Sequence, residues 1–205
     1  MSSPATTQLG DYSPVSSYDR SMALRNAILA ALLQDPSSGY DLAKGFDATT
    51  ANFWTATPQQ LYRELDRMES QGLISAEVVE QEKRPNKRVF SLTPAGEDEM
   101  RTYSQRKPKP AAIRDELLVQ VQAIESGDAE AVRAAIGERI EFAQTKLKRY
   151  ERLRQHLLEG RTERDFFETA NRVGPYLTLL RGISFEEENI RWGELALRVL
   201  AARED

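Results

Sequence analysis

Gln59, Gln60 and Arg63 stand close together, directly after Thr57-Pro58. Glutamine can pair with two atoms of an adenine edge and arginine with two of a guanine edge, so the set suits reading of bases in a major groove. Arg67 follows one helical turn later. Further along, Lys83, Arg84, Lys87 and Arg88 surround Pro85-Asn86. Cations crowded on a tight turn suit phosphates or a minor groove. The plainer alternative is a basic turn that solvates and protects an exposed hairpin edge.

These side chains need elements to hold them. Thr57 is a good N-cap, Pro58 suits the first helical position and Gln60 completes a capping box. Leu61, Leu65 and Met68 form an inner stripe, and Gln59, Arg63, Asp66 and Arg67 point roughly the opposite way. Gly72 ends this helix. Residues 74–79 and 89–92 are short β-prone runs flanking the basic turn. Thr93-Pro94 opens another helix, with Glu97 expected to complete a second capping box. Upstream, residues 1–20 have the composition of a flexible tail. A helix is expected at 22–34, with Leu24, Ile28, Leu32 and Leu33 inside. Asp35-Pro36-Ser37-Ser38 breaks it. Ser38 and Asp41 then start a second helix carrying Tyr40, Leu42, Ala43 and Phe46. Three helices followed by a two-stranded wing make a winged helix-turn-helix over 21–107, in a chain that is mainly α with a small β-hairpin.

Lys107-Pro108-Lys109-Pro110 marks a boundary, and 108–205 reads as helical throughout. One helix is expected at 111–125. Asp128 caps a longer one that reaches Glu159 and stops at Gly160, spanning about 48 Å. Its stripe is Val132, Ile136, Ile140, Ala143, Leu147, Tyr150 and Leu157. That length exceeds what a domain of about 100 residues covers, so a second copy is the natural cover. Ile136, Ile140, Leu147 and Tyr150 are the expected dimer contacts, with Ile190, Trp192, Leu195 and Val199 of the last helix. Thr162 and Asp165 open a helix holding Phe166, Phe167, Val173, Tyr176 and Leu180. Gly182 is expected to stop it, with Ser184 and Glu187 capping the final helix. Phe166, Tyr176 and Trp192, with Phe167 and Phe185, either line an effector pocket or pack as ordinary core. Arg181 or Arg191 could receive an effector carboxylate.

Composition narrows the chemistry. Cysteine is absent and His156 is the only histidine, so disulfides, thiolate sites and histidine metal clusters are excluded. No Gly-rich phosphate loop or nucleophile–base pair stands out, so neither catalysis nor a cofactor is expected. No apolar run approaches the roughly 20 residues of a membrane helix, and the N-terminus lacks a secretory pattern, leaving the cytoplasm. Net charge is −4, with 10 Lys/Arg against 14 Asp/Glu in residues 1–105 and 18 of each beyond. Affinity for a polyanion therefore has to come from a local basic island on an acidic half.

Several stretches together resemble the PadR family of bacterial transcriptional regulators. They are Ser38-Gly39-Tyr40-Asp41-Leu42, Phe53-Trp54, Gln60-Leu61-Tyr62 with Leu65 and Met68-Glu69, Gly72-Leu73, and Arg88-Val89-Phe90-Ser91-Leu92-Thr93-Pro94-Ala95-Gly96. The match is detailed over 23–100. The long helical remainder is similar in kind to the larger subfamily. The resemblance implies a homodimeric winged-helix repressor or, less often, an activator. It implies that Tyr62 and its neighbours meet DNA and that the C-terminal helices form the dimer interface. Some relatives respond to phenolic acids or planar drugs. Arg63 stands where a proline is frequent, which adds a cation to the reading face.

The resulting expectation is a sequence-specific regulator that binds double-stranded DNA as a homodimer on a palindromic operator, released by a small aromatic effector. The DNA-facing set is Tyr40, Thr57, Gln59, Gln60, Tyr62, Arg63, Arg67, Lys83, Arg84, Asn86, Lys87 and Arg88. The rival, favoured by the acidic balance, is a winged-helix protein-interaction module that contacts no DNA.

Overall fold

Hydroxyl caps set the starts of the helices that matter most. In the computed structural model, which describes residues 17–33, 35–45, 56–80, 86–108 and 114–203, Asp41 N donates to Ser38 Oγ at 3.1 Å and opens α2 (Gly39–Gly45). Thr57 N donates to Gln60 Oε1 at 2.9 Å, and Gln60 N donates to Thr57 Oγ1 at 3.2 Å. This closes the expected capping box at the start of α3 (Pro58–Ser70). Gly72, at φ 69°, supplies the left-handed residue that turns the chain out of α3.

The remaining elements of this half are α1 (Ser17–Leu32), β1 (Ser37–Ser38), β2 (Ile74–Val79), β3 (Lys87–Leu92) and α4 (Pro94–Ser104). α1 begins inside the segment 1–20 expected to be a tail, because extending an anchored helix costs far less than nucleating one. Leu24, Ile28, Leu29 and Leu32 are buried along it, whereas Leu33, expected inside, is exposed. Among the described residues the sheet has three antiparallel strands in the order β1-β3-β2, not two. β1 was hidden in a Pro-Ser-Ser breaker and is extended because Ser37 and Ser38 pair with Phe90 and Val89. β2 and β3 pair from Ile74↔Leu92 to Val79↔Lys87. Thr93 caps α4 as expected, but the residue that donates to its Oγ1 is Gly96, at 3.2 Å. Glu97 lies one position too far to close the box. A Cβ on Gly96 would sit 2.2 Å from the Leu73 carbonyl oxygen, so only glycine lets α4 start so close to the turn after α3. Phe46, Phe53, Trp54, Lys83 and Arg84 lie outside the described residues.

By compactness the described residues 17–42 and 56–105 fall in one unit and 114–203 in a second. The second unit holds α5 (Glu116–Gln122), a 3-10 turn (Ile124–Ser126), α6 (Ala129–Leu158), α7 (Glu163–Thr169) and α8 (Gly174–Ala201). Ala131 N donates to the Asp128 carboxylate at 3.0 Å, as expected, and α6 ends just before Gly160, one residue earlier than expected because Glu159 is itself left-handed.

Two expectations fail here. The helix expected at 111–125 is shorter, opening only after the Asp115 cap. The chain also breaks at 170–173 and then runs unbroken through Gly182 and Ser184. Pro175 fits the new start. An interior glycine costs about 1 kcal/mol, less than the burial of one large apolar side chain returns. Gly182 lies on the face of α8 that also buries Tyr176, Leu179, Glu186 and Gly193. α6 and α8 run antiparallel: Gly193 approaches Ile140, Lys146 bonds Glu186 and Arg154 bonds Tyr176.

Candidate nucleic-acid interface

α3 presents two faces of opposite character. Leu61, Leu65 and Met68 are buried, and Gln59, Arg63, Asp66 and Arg67 are exposed on the other side. The cap sorts the polar candidates at the helix start. Thr57 and Gln60 spend their side-chain oxygens on the box, so they hold the helix. Gln59 and Arg63 carry the outward donors.

Tyr62 is 45% exposed and Tyr40 is 69% exposed. A Cβ on Gly39 would fall 2.3 Å from Tyr62 Cε1, so the bare α2 start is what lets the Tyr62 ring lie against it. Both tyrosines thus flank one glycine. Beneath α3, buried Glu64 accepts from Arg25 Nε of α1 at 3.4 Å and has Arg67 within 3.7 Å. Glu64 thereby ties α3 to α1 and draws Arg67 back along its own helix.

The wing cations divide by the strand pleat. Lys87 Nζ lies 3.8 Å from the Asp41 carboxylate of α2. Arg88, facing the other way, donates to Asp66 Oδ1 at 2.9 Å and also to Glu69, both on α3. Its guanidinium lies 5.0 Å over the buried Phe90 ring. The hydrogen bond to Asp66, ahead of the charge of Glu69, holds the Arg88 guanidinium above its ordinary range. Asn86 is exposed just before β3. Gly39, Glu64, Asp66 and Glu69 were not among the expected site residues. The Asp66/Glu69 spacing was visible, but their partner on another element was not.

In the second unit Ile136 and Tyr150 are 0% and 2% exposed within a single chain, Ile136 packing with Leu117 of α5 and Trp192 of α8. No partner can reach them, which removes both from the expected dimer contacts. Leu195 and Val199 are about half exposed, and Ile140, Leu147, Ile190 and Trp192 are partly buried. The aromatic trio does not converge. Phe166 and Tyr176 meet at 4.8 Å between ring centroids. Trp192 packs with Leu117, Val132 and Ile136 instead, about 24 Å further along α8 at 1.5 Å per residue. Tyr176 Oη accepts from Arg154 Nε at 3.1 Å and donates to Glu163 at 2.8 Å, an arrangement the linear pattern does not disclose. Burial pushes the Tyr176 phenol up. Arg181 stacks on Phe185 and Arg191 pairs with Glu188, so neither meets the Phe166–Tyr176 pair in these contacts. Among the described residues there is no cluster of three or more potential metal ligands, and no helix is long and apolar enough to cross a membrane.

A capped helix with polar outer face, set beside a three-stranded wing, defines a winged helix-turn-helix protein. Residues 28–102 match the Transcriptional regulator PadR-like family and residues 113–201 match the family described as Virulence activator alpha C-term. A probable transcriptional regulator of Mycobacterium tuberculosis is 32% identical over 186 residues, which cover 83% of this chain and 94% of that protein. The negative transcriptional regulator PadR of Bacillus subtilis is 25% identical, over 86% of this chain and 97% of that one. Its crystal structure with operator DNA shares the fold, with a TM-score of 0.71 at 24% identity, covering 87% of this chain and 97% of that one. The chain belongs to the PadR family of transcriptional regulators.

Proposed function

We propose that the chain is a homodimeric repressor that reads a palindromic operator in double-stranded DNA within the cytoplasm. The observation that carries the reading is the outer face of α3. Gln59 and Arg63 project from a start locked by the Thr57–Gln60 box, opposite the buried Leu61–Leu65–Met68 stripe. Side chains on the first turns of such a helix reach base edges in the major groove. Tyr40 and Tyr62 flank that start, and Lys87 and Asn86 supply the wing's approach to the backbone. Arg67, drawn toward Glu64, contributes less. The relative named a negative regulator and solved with operator DNA supports the sign and the ligand. A small aromatic effector belongs to the same reading, because that relative has also been solved with p-coumaric acid.

The test is a mobility shift with the duplex upstream of the protein's own gene at two salt concentrations. A shift that weakens with salt and survives excess random DNA is expected. No shift at low salt would return the protein-interaction module as the better reading.

A further inference from the structure

We propose that Arg88 is a positioning residue: it clamps the wing to the reading helix through Asp66 and Glu69 and gives nothing to the phosphate footprint. The inference rests on the DNA-binding reading above and assigns opposite roles to two adjacent wing cations. Lys87 and Arg88 sit side by side in β3, so the pleat sends them to opposite faces. Among the described residues Lys87 meets one carboxylate, at 3.8 Å, beyond hydrogen-bond length. It stays free to exchange that partner for a phosphate. Arg88 engages two carboxylates, at positions 66 and 69 of α3, with separate guanidinium nitrogens. Its plane also covers the ring of Phe90, which is 2% exposed.

The geometry makes a three-point brace. Phe90 fixes the base of the wing in the core, and Arg88 fixes the next residue on the same face of β3 to the outer side of α3. The angle between strand and helix is thereby set close to where both elements would meet a duplex. A phosphate approaching Arg88 would meet Asp66 and Glu69, whose combined charge exceeds that of the guanidinium. Binding there would release no counterion, and counterion release is what the salt dependence of affinity counts. Asp66 and Glu69 thus trade cation density for a fixed wing, in keeping with the acidic balance of residues 1–105.

The experiment measures the salt dependence of binding by fluorescence anisotropy, with the upstream duplex and with a random duplex of equal length. Arg88→Ala is expected to weaken the upstream duplex about three- to tenfold, while the slope of log affinity against log salt stays at the wild-type value. Arg88→Lys keeps the charge but loses the two-nitrogen fork and the plane that covers Phe90, and should not restore full affinity. Lys87→Ala should lower the slope by about one unit per protomer. The double variant Asp66→Asn with Glu69→Gln should bind the random duplex more tightly with a steeper slope, because it frees Arg88. A slope lowered by Arg88→Ala, or full rescue by Arg88→Lys, would overturn the clamp and make Arg88 an ordinary phosphate contact. Absence of binding by the wild type at any salt would defeat the DNA reading itself, a distinct result.

Discussion

Free and engaged side chains stand within one turn of each other on α3. Arg63 is exposed and pairs with no carboxylate among the described residues, whereas Glu64 is engaged beneath the helix and the exposed Arg67 pairs with it. Arg63→Ala should therefore cost specific binding about 1–3 kcal/mol and relax base preference at one position of each half-site. Competition with single-substituted operators measures this; an equal loss on every sequence would assign Arg63 to phosphate. Gly39→Ala probes the other side. The new Cβ would meet the Tyr62 ring, a half-exposed side chain able to swing away. Stability should stay within about 1 kcal/mol of wild type, while affinity for the operator falls because Tyr62 has moved. Thermal melts and anisotropy on the same sample separate the two, and unchanged affinity would remove Tyr62 from the contact set. The local devices at this scale, Thr57 with Gln60 and Ser38 with Asp41, were legible because both partners lie within one turn. Gly39 against Tyr62 and Arg88 against Asp66 were not, since chain contacts between elements leave no spacing to read.

Elements succeed or fail by what covers them. α3 and most of α6 are legible because a carboxylate or hydroxyl cap, an apolar stripe and a glycine stop agree in each; at the end of α6, Leu158 rather than the expected Leu157 is buried. In the sequence of α8 Gly182 has the look of a stop, and the helix runs through it. Its burial on the α6 side makes it a packing residue, as Gly193 is, where a Cβ would stand 2.8 Å from Ile140 Cγ1. β1 was invisible because pairing with β3, rather than local propensity, extends it. The short α5 is joined to α6 by Asp115, which accepts from two nitrogens of Arg139 at 2.8 and 2.9 Å. The hydrogen bond from Arg139 holds the Asp115 carboxyl below its ordinary value. A lowered folded-state pKa adds stability above the unfolded value, about 3.9, and that stability is lost as pH falls through the folded value. Asp115→Asn should thus destabilise by about 1–2 kcal/mol at pH 7, with the gap to wild type closing on acidification below the unfolded value. Urea unfolding at pH 7 and at pH 3 measures it. A gap independent of pH would mean that the pair contributes by shape alone.

At the scale of the molecule, α8 carries a surplus. Tyr176, Leu179, Gly182, Glu186 and Gly193 occupy the arc buried against α6. At about 100° per residue, Leu177, Phe185, Leu195 and Val199 fall on the opposite arc, and all are exposed. A helix apolar on both sides calls for cover on both. A second copy of the chain suits the outer arc, because one self-complementary patch then serves both protomers. It also suits the charge: a half with 14 acids against 10 bases binds DNA better when two basic islands act together, each raising the effective concentration of the other. Removing 184–205 would be a poor test, since it also strips Glu186 and Gly193 from the core of the unit. Leu195→Arg combined with Val199→Arg changes only half-exposed positions, so melting should stay near that of wild type. Sedimentation should then show monomers, and operator affinity should fall by at least about a hundredfold as avidity is lost. A dimer persisting in this folded variant would move the interface off the outer arc of α8. Monomers that still bound the full operator with wild-type affinity would break the link between pairing and DNA binding, leaving the small cationic island sufficient by itself.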